Sequence, residues 1–184
     1  MEYYFKEIEN FIMKIQLLDY PENIKDKVEY FLQDGKRLRP ILCIIFSGLQ
    51  SINVNTILDT NSENTTKIIY TIASTIEKLH CLSLVLDDLP EMDNDILRRS
   101  KQSFHSKYGT DYTNFFVYYM FNHIGLSLNI VIDSMDDGLD TKYNIEIANR
   151  INKLFTYNLN MLIDGQYSDC SFLENSAYKI NNSK

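Results

Sequence analysis

From Asp87 to Arg99 the sequence reads Asp-Asp-Leu-Pro-Glu-Met-Asp-Asn-Asp-Ile-Leu-Arg-Arg, which puts Asp87, Asp88, Glu91, Asp93 and Asp95 within nine residues and two arginines directly after them. Like charges this close repel unless a cation or solvent relieves them. A hard divalent ion such as Mg²⁺ binds through one or two carboxylates together with phosphate oxygens of a substrate, so Asp87, Asp88 and Asp93 are candidate metal ligands. A diphosphate held there could bridge the metal to Arg98 and Arg99, whose planar forks match phosphate oxygens. On an unbroken helix Asp87 and Asp93 would point about 120° apart. Pro90 stands between them and breaks the regular ladder, which lets the local backbone bring both to one ion. An isolated run of this kind is more often a solvated acidic loop, so the surrounding sequence has to decide.

The elements that must present this run are helical. Phe5, Ile8, Phe11, Ile12, Ile15 and Leu18 recur at three- and four-residue steps, which predicts a helix over Tyr4 to Leu18 that ends at Asp19-Tyr20-Pro21. A second helix is expected from Ile24 to Leu32, with Gly35 as its C-terminal cap, and Pro40 opens a third through Leu49. Gln50 to Thr66, rich in Asn, Ser and Thr, reads as a loop. Lys67 to Leu86 holds the helical period without a breaker until Pro90, and on it His80, Ser83 and Asp87 share one face. Helices are also expected over Asn114 to Ile132 and over Asn144 to Ile163, the latter ending near Gly165, and the polar residues from Leu173 are expected to fray. With six Gly and three Pro in 184 residues the fold class is all-α, in one domain over 1–184.

The formal charge of −7 argues against nucleic acid or an anionic membrane as a partner of the whole surface, so any anionic ligand needs a local basic cluster. Cys43, Cys81 and Cys170 are odd in number and lack metal-ligand spacing, which suggests buried thiols in a reducing compartment. Met1 to Asp19 has no basic leader or Arg-rich amphipathic character, and no run reaches about 18 uninterrupted apolar residues. These features predict a cytoplasmic protein without a signal peptide or membrane span.

The acidic run resembles the first aspartate-rich motif of trans-isoprenyl diphosphate synthases (polyprenyl synthetases), where Asp-Asp-Leu-Pro-x-Met-Asp and Leu-Arg-Arg occur together. Upstream, Asp34-Gly-Lys-Arg-Leu-Arg-Pro40 is similar to that family's Gly-Lys-Arg-Leu-Arg-Pro signature. Downstream, Lys101-Gln-Ser-Phe-His-Ser-Lys-Tyr-Gly109 resembles its Lys-Pro-Thr-x-His-x-x-Phe-Gly segment, and Gly165-Gln166-x-x-Asp169 its Gly-Gln-x-x-Asp. The resemblance implies a helical bundle like the first half of the isoprenoid synthase fold, of the farnesyl or geranylgeranyl diphosphate synthase type. It implies that Lys36, Arg39 and His80 hold the diphosphate of isopentenyl diphosphate, with Arg99 reaching the same group. Arg98 would then bind the diphosphate of an allylic substrate (dimethylallyl, geranyl or farnesyl), while Asp87 and Asp93, with Asp88 beside them, would hold Mg²⁺. The implied reaction ionises the allylic diphosphate, adds the double bond of isopentenyl diphosphate to the cation and loses a proton. Leu82 and Ser83, just before the aspartate pair, are not aromatic, which favours a product longer than farnesyl.

The resemblance has gaps. The family's later Lys-Thr segment and second aspartate-rich helix have no counterpart here, and Asp136-Asp137-Gly138-Leu139-Asp140 reads as a loop between helices rather than as that motif. Leu86 stands where many members carry His, Ser100 replaces the Gly after the arginines, and the Gly-Asp-x-Leu pattern expected after Gly109 is absent. Two readings follow: a Mg²⁺-dependent prenyltransferase acting as a homodimer, or a non-catalytic or remnant partner that forms a heterodimer with a full-length synthase.

Overall fold

The computed structural model describes residues 2–15, 17, 20–48, 64–133 and 141–181, without the side chains of 14, 15, 64, 130, 132, 133, 141–144 and 169–181. The chain divides into two compact units, Met1–Met135 and Asp136–Lys184.

In the first unit, α1 (Glu2–Asn10) runs into a π-helical turn over Phe11–Ile15, where the period predicts a single helix. The wider winding lets consecutive residues face inward, and Phe11 and Ile12 are both buried beside Ile8. Phe11 packs edge-on against Tyr70. Helix α2 (Glu22–Leu32) buries Val28, Phe31 and Leu32 on one face. The turn that follows corrects the role expected of Gly35: the left-handed residues are Asp34 (φ 60°) and Arg37 (φ 51°), not the glycine. Gly35 is needed for space, because a Cβ there would lie 2.2 Å from Arg37 Nη1 and 2.6 Å from Glu77 Oε1.

Helix α3 (Leu38–Phe46) takes Pro40 in its first turn, where a missing N–H leaves nothing unpaired. Left-handed Gly48 follows its end. Helix α4 (Asn64–Asp87) starts three residues earlier than the sequence predicts, and it packs most extensively against α3 and the later helix α6 (Thr110–Asp133). By length and composition α4 could cross a membrane, but 56% of its most apolar stretch is buried inside the protein, and it carries buried Glu77 and Lys78. It is the central helix of this unit.

A two-stranded antiparallel ladder not foreseen from the sequence follows α4, with β1 (Leu97–Arg98) pairing Leu97 to Gln102 and Arg98 to Lys101 of β2 (Lys101–Gln102). Its turn is Arg99-Ser100, both left-handed, the backbone of a type I′ hairpin that glycine or asparagine usually makes. Short α5 (Phe104–Tyr108) stops at Gly109 (φ 87°), and α6 begins four residues before the expected Asn114 because Thr113 bonds back to the Gly109 carbonyl at 2.8 Å. Phe104 stacks on Phe116, which meets Phe31 edge-on, so α2, α5 and α6 share one aromatic core.

The second unit contains α7 (Thr141–Asn181), which continues through Gly165 and past Leu173, where fraying is expected, to Asn181. Ser168 Oγ donates to the Asp164 carbonyl at 2.8 Å across that glycine, a local bond that the helix geometry accommodates. Asp136 to Asp140 and most of the predicted loop from Gln50 lie outside the described residues.

Candidate functional site

Three segments of the first unit converge at the C-terminal end of α4: the α2–α3 turn, the loop after Asp87, and the hairpin. His80 shows the convergence. Its pKa is lowered first by burial and then by the charge of Arg39, with smaller contributions from Arg99 and Arg98, while Glu77 opposes them. The charges of Arg39 on α3, Arg99 in the hairpin turn and Arg98 on β1 thus all act on one half-buried imidazole and, with burial, favour its neutral form, which keeps a donor for an anion.

The hairpin is tied to the end of α2. Arg99 Nη1 donates to the Gln33 carbonyl at 3.2 Å, Lys101 Nζ meets Asp34 Oδ2 at 2.5 Å and Gln33 Oε1 at 3.2 Å, and Tyr30 donates its hydroxyl to the Gln102 carbonyl at 2.7 Å. An open cleft lies along this seam, lined among others by Tyr30, Gln33, Asp34, Cys81, Arg98 and Arg99. Cys81 is no nucleophile there, because burial pushes its thiol up to about 12. Cys43 is half-buried and its thiol is likewise raised.

Arg37 is the residue that sequence reasoning left unused. It is 1% exposed, with Nε on Glu9 Oε2 at 2.6 Å, Nη1 on Glu77 Oε1 at 3.1 Å and Nη2 on the Leu32 carbonyl. One guanidinium therefore joins α1, the end of α2 and α4, and it fixes the turn that exposes Lys36 and leads to exposed Arg39 at the start of α3. A signal for it was present: Glu77 falls between Ala73 and Cys81 on the buried stripe of α4, and a buried carboxylate needs a cation. Lys36 makes no hydrogen bond or ion pair among the described residues.

The acidic run does turn back on itself after Pro90. Leu89 N bonds the Leu86 carbonyl at 3.2 Å, Asn94 N bonds Leu89 O at 3.0 Å, and Asp93 N bonds the Asp87 carbonyl at 2.9 Å. The main chains of Asp87 and Asp93 are therefore adjacent, the juxtaposition that a straight helix forbids. Asp88 is placed differently from the other two. It is 2% exposed, and Arg98 Nε reaches its oxygens at 2.9 and 3.1 Å while Nη2 also contacts Oδ1. Arg98 lies 3.7 Å from Asp95 as well, so part of the crowded charge is relieved from within the run.

Among the described residues no group of three or more His, Cys, Asp or Glu is placed to hold a metal ion. Two neighbouring aspartates suit Mg²⁺, which completes an octahedron with water and phosphate oxygens, and do not suit a closed structural zinc site. Asp87 and Asp93, with their main chains adjacent, are the candidates for such an ion.

Known proteins are similar to this chain in sequence and in fold. A geranylgeranyl diphosphate synthase of Cyanophora paradoxa is 39% identical over 92 residues, 50% of this chain and 27% of the relative. A geranyltransferase structure from Legionella pneumophila superposes with a TM-score of 0.58 at 26% identity, covering 80% of this chain and 48% of that one. The fold also matches a Helicobacter pylori geranyltransferase solved with magnesium and isoprenyl diphosphate, at TM-score 0.51 and 23% identity, over 80% of this chain and 47% of that one. The chain spans about half the length of these solved structures. The polyprenyl synthetase family model matches residues 21–183, across both units, and the chain belongs to that family.

Proposed function

We propose that the chain is a Mg²⁺-dependent prenyltransferase that condenses isopentenyl diphosphate with an allylic diphosphate. The observation that carries this reading is the turn that bonds Asp93 N to the Asp87 carbonyl, with Arg98 held at Asp88 beside it and the charges of Arg39, Arg98 and Arg99 acting together on His80. Two anionic groups need two sets of donors, and the site divides into two. Arg39, His80 and Arg99, with Lys36 on the neighbouring turn, form the set for isopentenyl diphosphate. Arg98 and the Asp87–Asp93 turn form the set for the allylic diphosphate. Mg²⁺ held on Asp87 and Asp93 would supply charge against the departing pyrophosphate. Arg98 adds a fixed cation beside it, so leaving-group charge is met by groups already in place.

Incubation of the purified chain with Mg²⁺, labelled isopentenyl diphosphate and each of the dimethylallyl, geranyl and farnesyl primers tests the reaction. Elongated product is expected, and its absence with every primer would sink the prenyltransferase reading. Calorimetry with inorganic pyrophosphate tests binding separately. Mg²⁺ should strengthen it, and Arg98→Ala should weaken it by roughly ten- to hundredfold through loss of a charge-assisted bond.

A further inference from the structure

The hairpin is held from two directions, and its two arginines do not share an anchor. On the α4 side, Arg98 is gripped by buried Asp88. On the α2 side, Arg99 Nη1 donates to the Gln33 carbonyl at 3.2 Å, and Lys101 Nζ reaches Gln33 Oε1 at 3.2 Å and Asp34 Oδ2 at 2.5 Å. The Tyr30 hydroxyl adds a bond to the Gln102 carbonyl at 2.7 Å. Tyr30 is itself fixed from α5: Lys107 Nζ lies 3.4 Å from the centre of its ring, and Tyr108 packs edge-on against it. Its hydroxyl is therefore aimed at β2 from a ring that is already in place.

These ties contribute little to the stability of the fold. Asp34 and Lys101 are each 47% exposed, and an ion pair so open to water is worth little. The Tyr30 bond joins residues 72 apart along the seam of the open cleft. What the ties set is the place of the hairpin relative to the end of α2. Lys36 stands two residues beyond Asp34, so the same contacts that hold Arg99 also fix its relation to the α2–α3 turn.

We infer that Tyr30 and Asp34 are positioning residues for one substrate of the two: they hold the hairpin against the end of α2 so that Arg99 meets the same anion as Lys36 and Arg39, while Arg98 keeps its separate anchor on α4. The assignment rests on the proposed function for the identity of that anion, isopentenyl diphosphate. Both residues admit small changes. Phenylalanine at 30 keeps the ring under Lys107 and removes only the hydroxyl, and asparagine at 34 tolerates the left-handed backbone (φ 60°) while it removes the charge that meets Lys101. Asp34→Asn also separates position from charge. If net charge alone mattered, deleting a carboxylate beside a cationic cluster would tighten an anion, whereas loss of position weakens it.

Two measurements on the full chain test this: calorimetric binding of isopentenyl diphosphate in EDTA, where the metal-bearing set is silent, and KM values for isopentenyl and geranyl diphosphates with Mg²⁺. Tyr30→Phe and Asp34→Asn should each weaken isopentenyl diphosphate by about three- to tenfold in both assays. KM for geranyl diphosphate should stay within about twofold of wild type, a split that general loosening of the fold does not produce. In an Arg99→Met background neither change should add a further loss, because the arginine they position is gone. Parallel rises in both KM values overturn the assignment, as do tighter binding by Asp34→Asn or an undiminished Tyr30→Phe effect without Arg99. A wild-type chain that neither binds isopentenyl diphosphate nor elongates a primer overturns the functional reading and removes this role with it, an outcome distinct from the others.

Discussion

Replacing Arg37 by Met should unfold much of what positions the site, although Arg37 itself touches no ligand. Methionine fills most of the arginine's volume, so the change removes charge and hydrogen bonds more than packing. Three partners are lost together: Glu9, Glu77 and the Leu32 carbonyl. Glu77 is 2% exposed, and without Arg37 its carboxylate loses its buried ion-pair partner. Breaking a buried pair from one side costs about 3–5 kcal/mol, because the surviving charge stays desolvated. Glu9 adds little to this figure, since its side chain is 33% exposed and water can replace the guanidinium. The expected loss is then about 4 kcal/mol, against a total of roughly 5–15 kcal/mol for a domain of ordinary stability. Urea denaturation followed by helical circular dichroism measures it directly. Glu77→Gln should cost less, about 1–2 kcal/mol, because Arg37 keeps Glu9 and the carbonyl. Combining Arg37→Met with Glu77→Met should recover part of the loss, since a buried pair is replaced by apolar side chains of similar size. A loss below about 1 kcal/mol for Arg37→Met, or a double variant worse than the sum of the singles, would refute the view that this guanidinium holds α1, α2 and α4 together.

Ser100→Gly should stabilise the chain by about 0.5–1 kcal/mol, because the left-handed penalty of about 1–2 kcal/mol on Ser100 (φ 64°) exceeds the added entropy of an unfolded glycine; urea midpoints that fall instead would contradict the hairpin strain. Diphosphate binding should raise the lowered pKa of His80, since an anion favours the imidazolium, so binding should take up protons and strengthen as pH falls toward the ordinary histidine range. Calorimetry in buffers of different ionisation heat reads that uptake, and proton release would exclude His80 from the anion site. His123, stacked on Tyr20 and facing the Lys78 charge, has its pKa lowered to about 4 by burial and then by that lysine. The unfolded chain therefore binds more protons than the folded one between about pH 6.5 and 4, and stability should fall as pH drops through that window. The loss should be on the order of 2 kcal/mol, after allowance for the ring's partial exposure. His123→Gln should flatten this acid limb in pH-dependent urea titrations, and an unchanged limb would assign the acid sensitivity to other groups.

What the sequence disclosed and what it hid divide along the distance between interacting residues. Helical periods are local, so α2, α3, α4 and α6 could be read from apolar spacing, and the breaker at Pro90 was enough to foresee that Asp87 and Asp93 come together. Gly35 illustrates the limit. A glycine just after a helix reads as a left-handed cap, yet its small size serves a contact between Arg37 and Glu77, forty residues apart in sequence. The same reason hid Asp88. Its neighbours along the chain are carboxylates and suggest a cation site, whereas its partner, Arg98, reaches it only because a two-residue hairpin turns at Arg99 and Ser100. Neither residue announces a type I′ turn, and the strands are too short to show alternation. The family's glycine at position 100 would have marked that turn, and serine conceals it. The motif names the charged residues, but their settings differ by burial: Asp88 is enclosed with its arginine while Asp93 is open to solvent. Two carboxylates drawn from one crowded run thus end in different surroundings, because Asp93 keeps its hydration while Asp88 has exchanged it for a guanidinium.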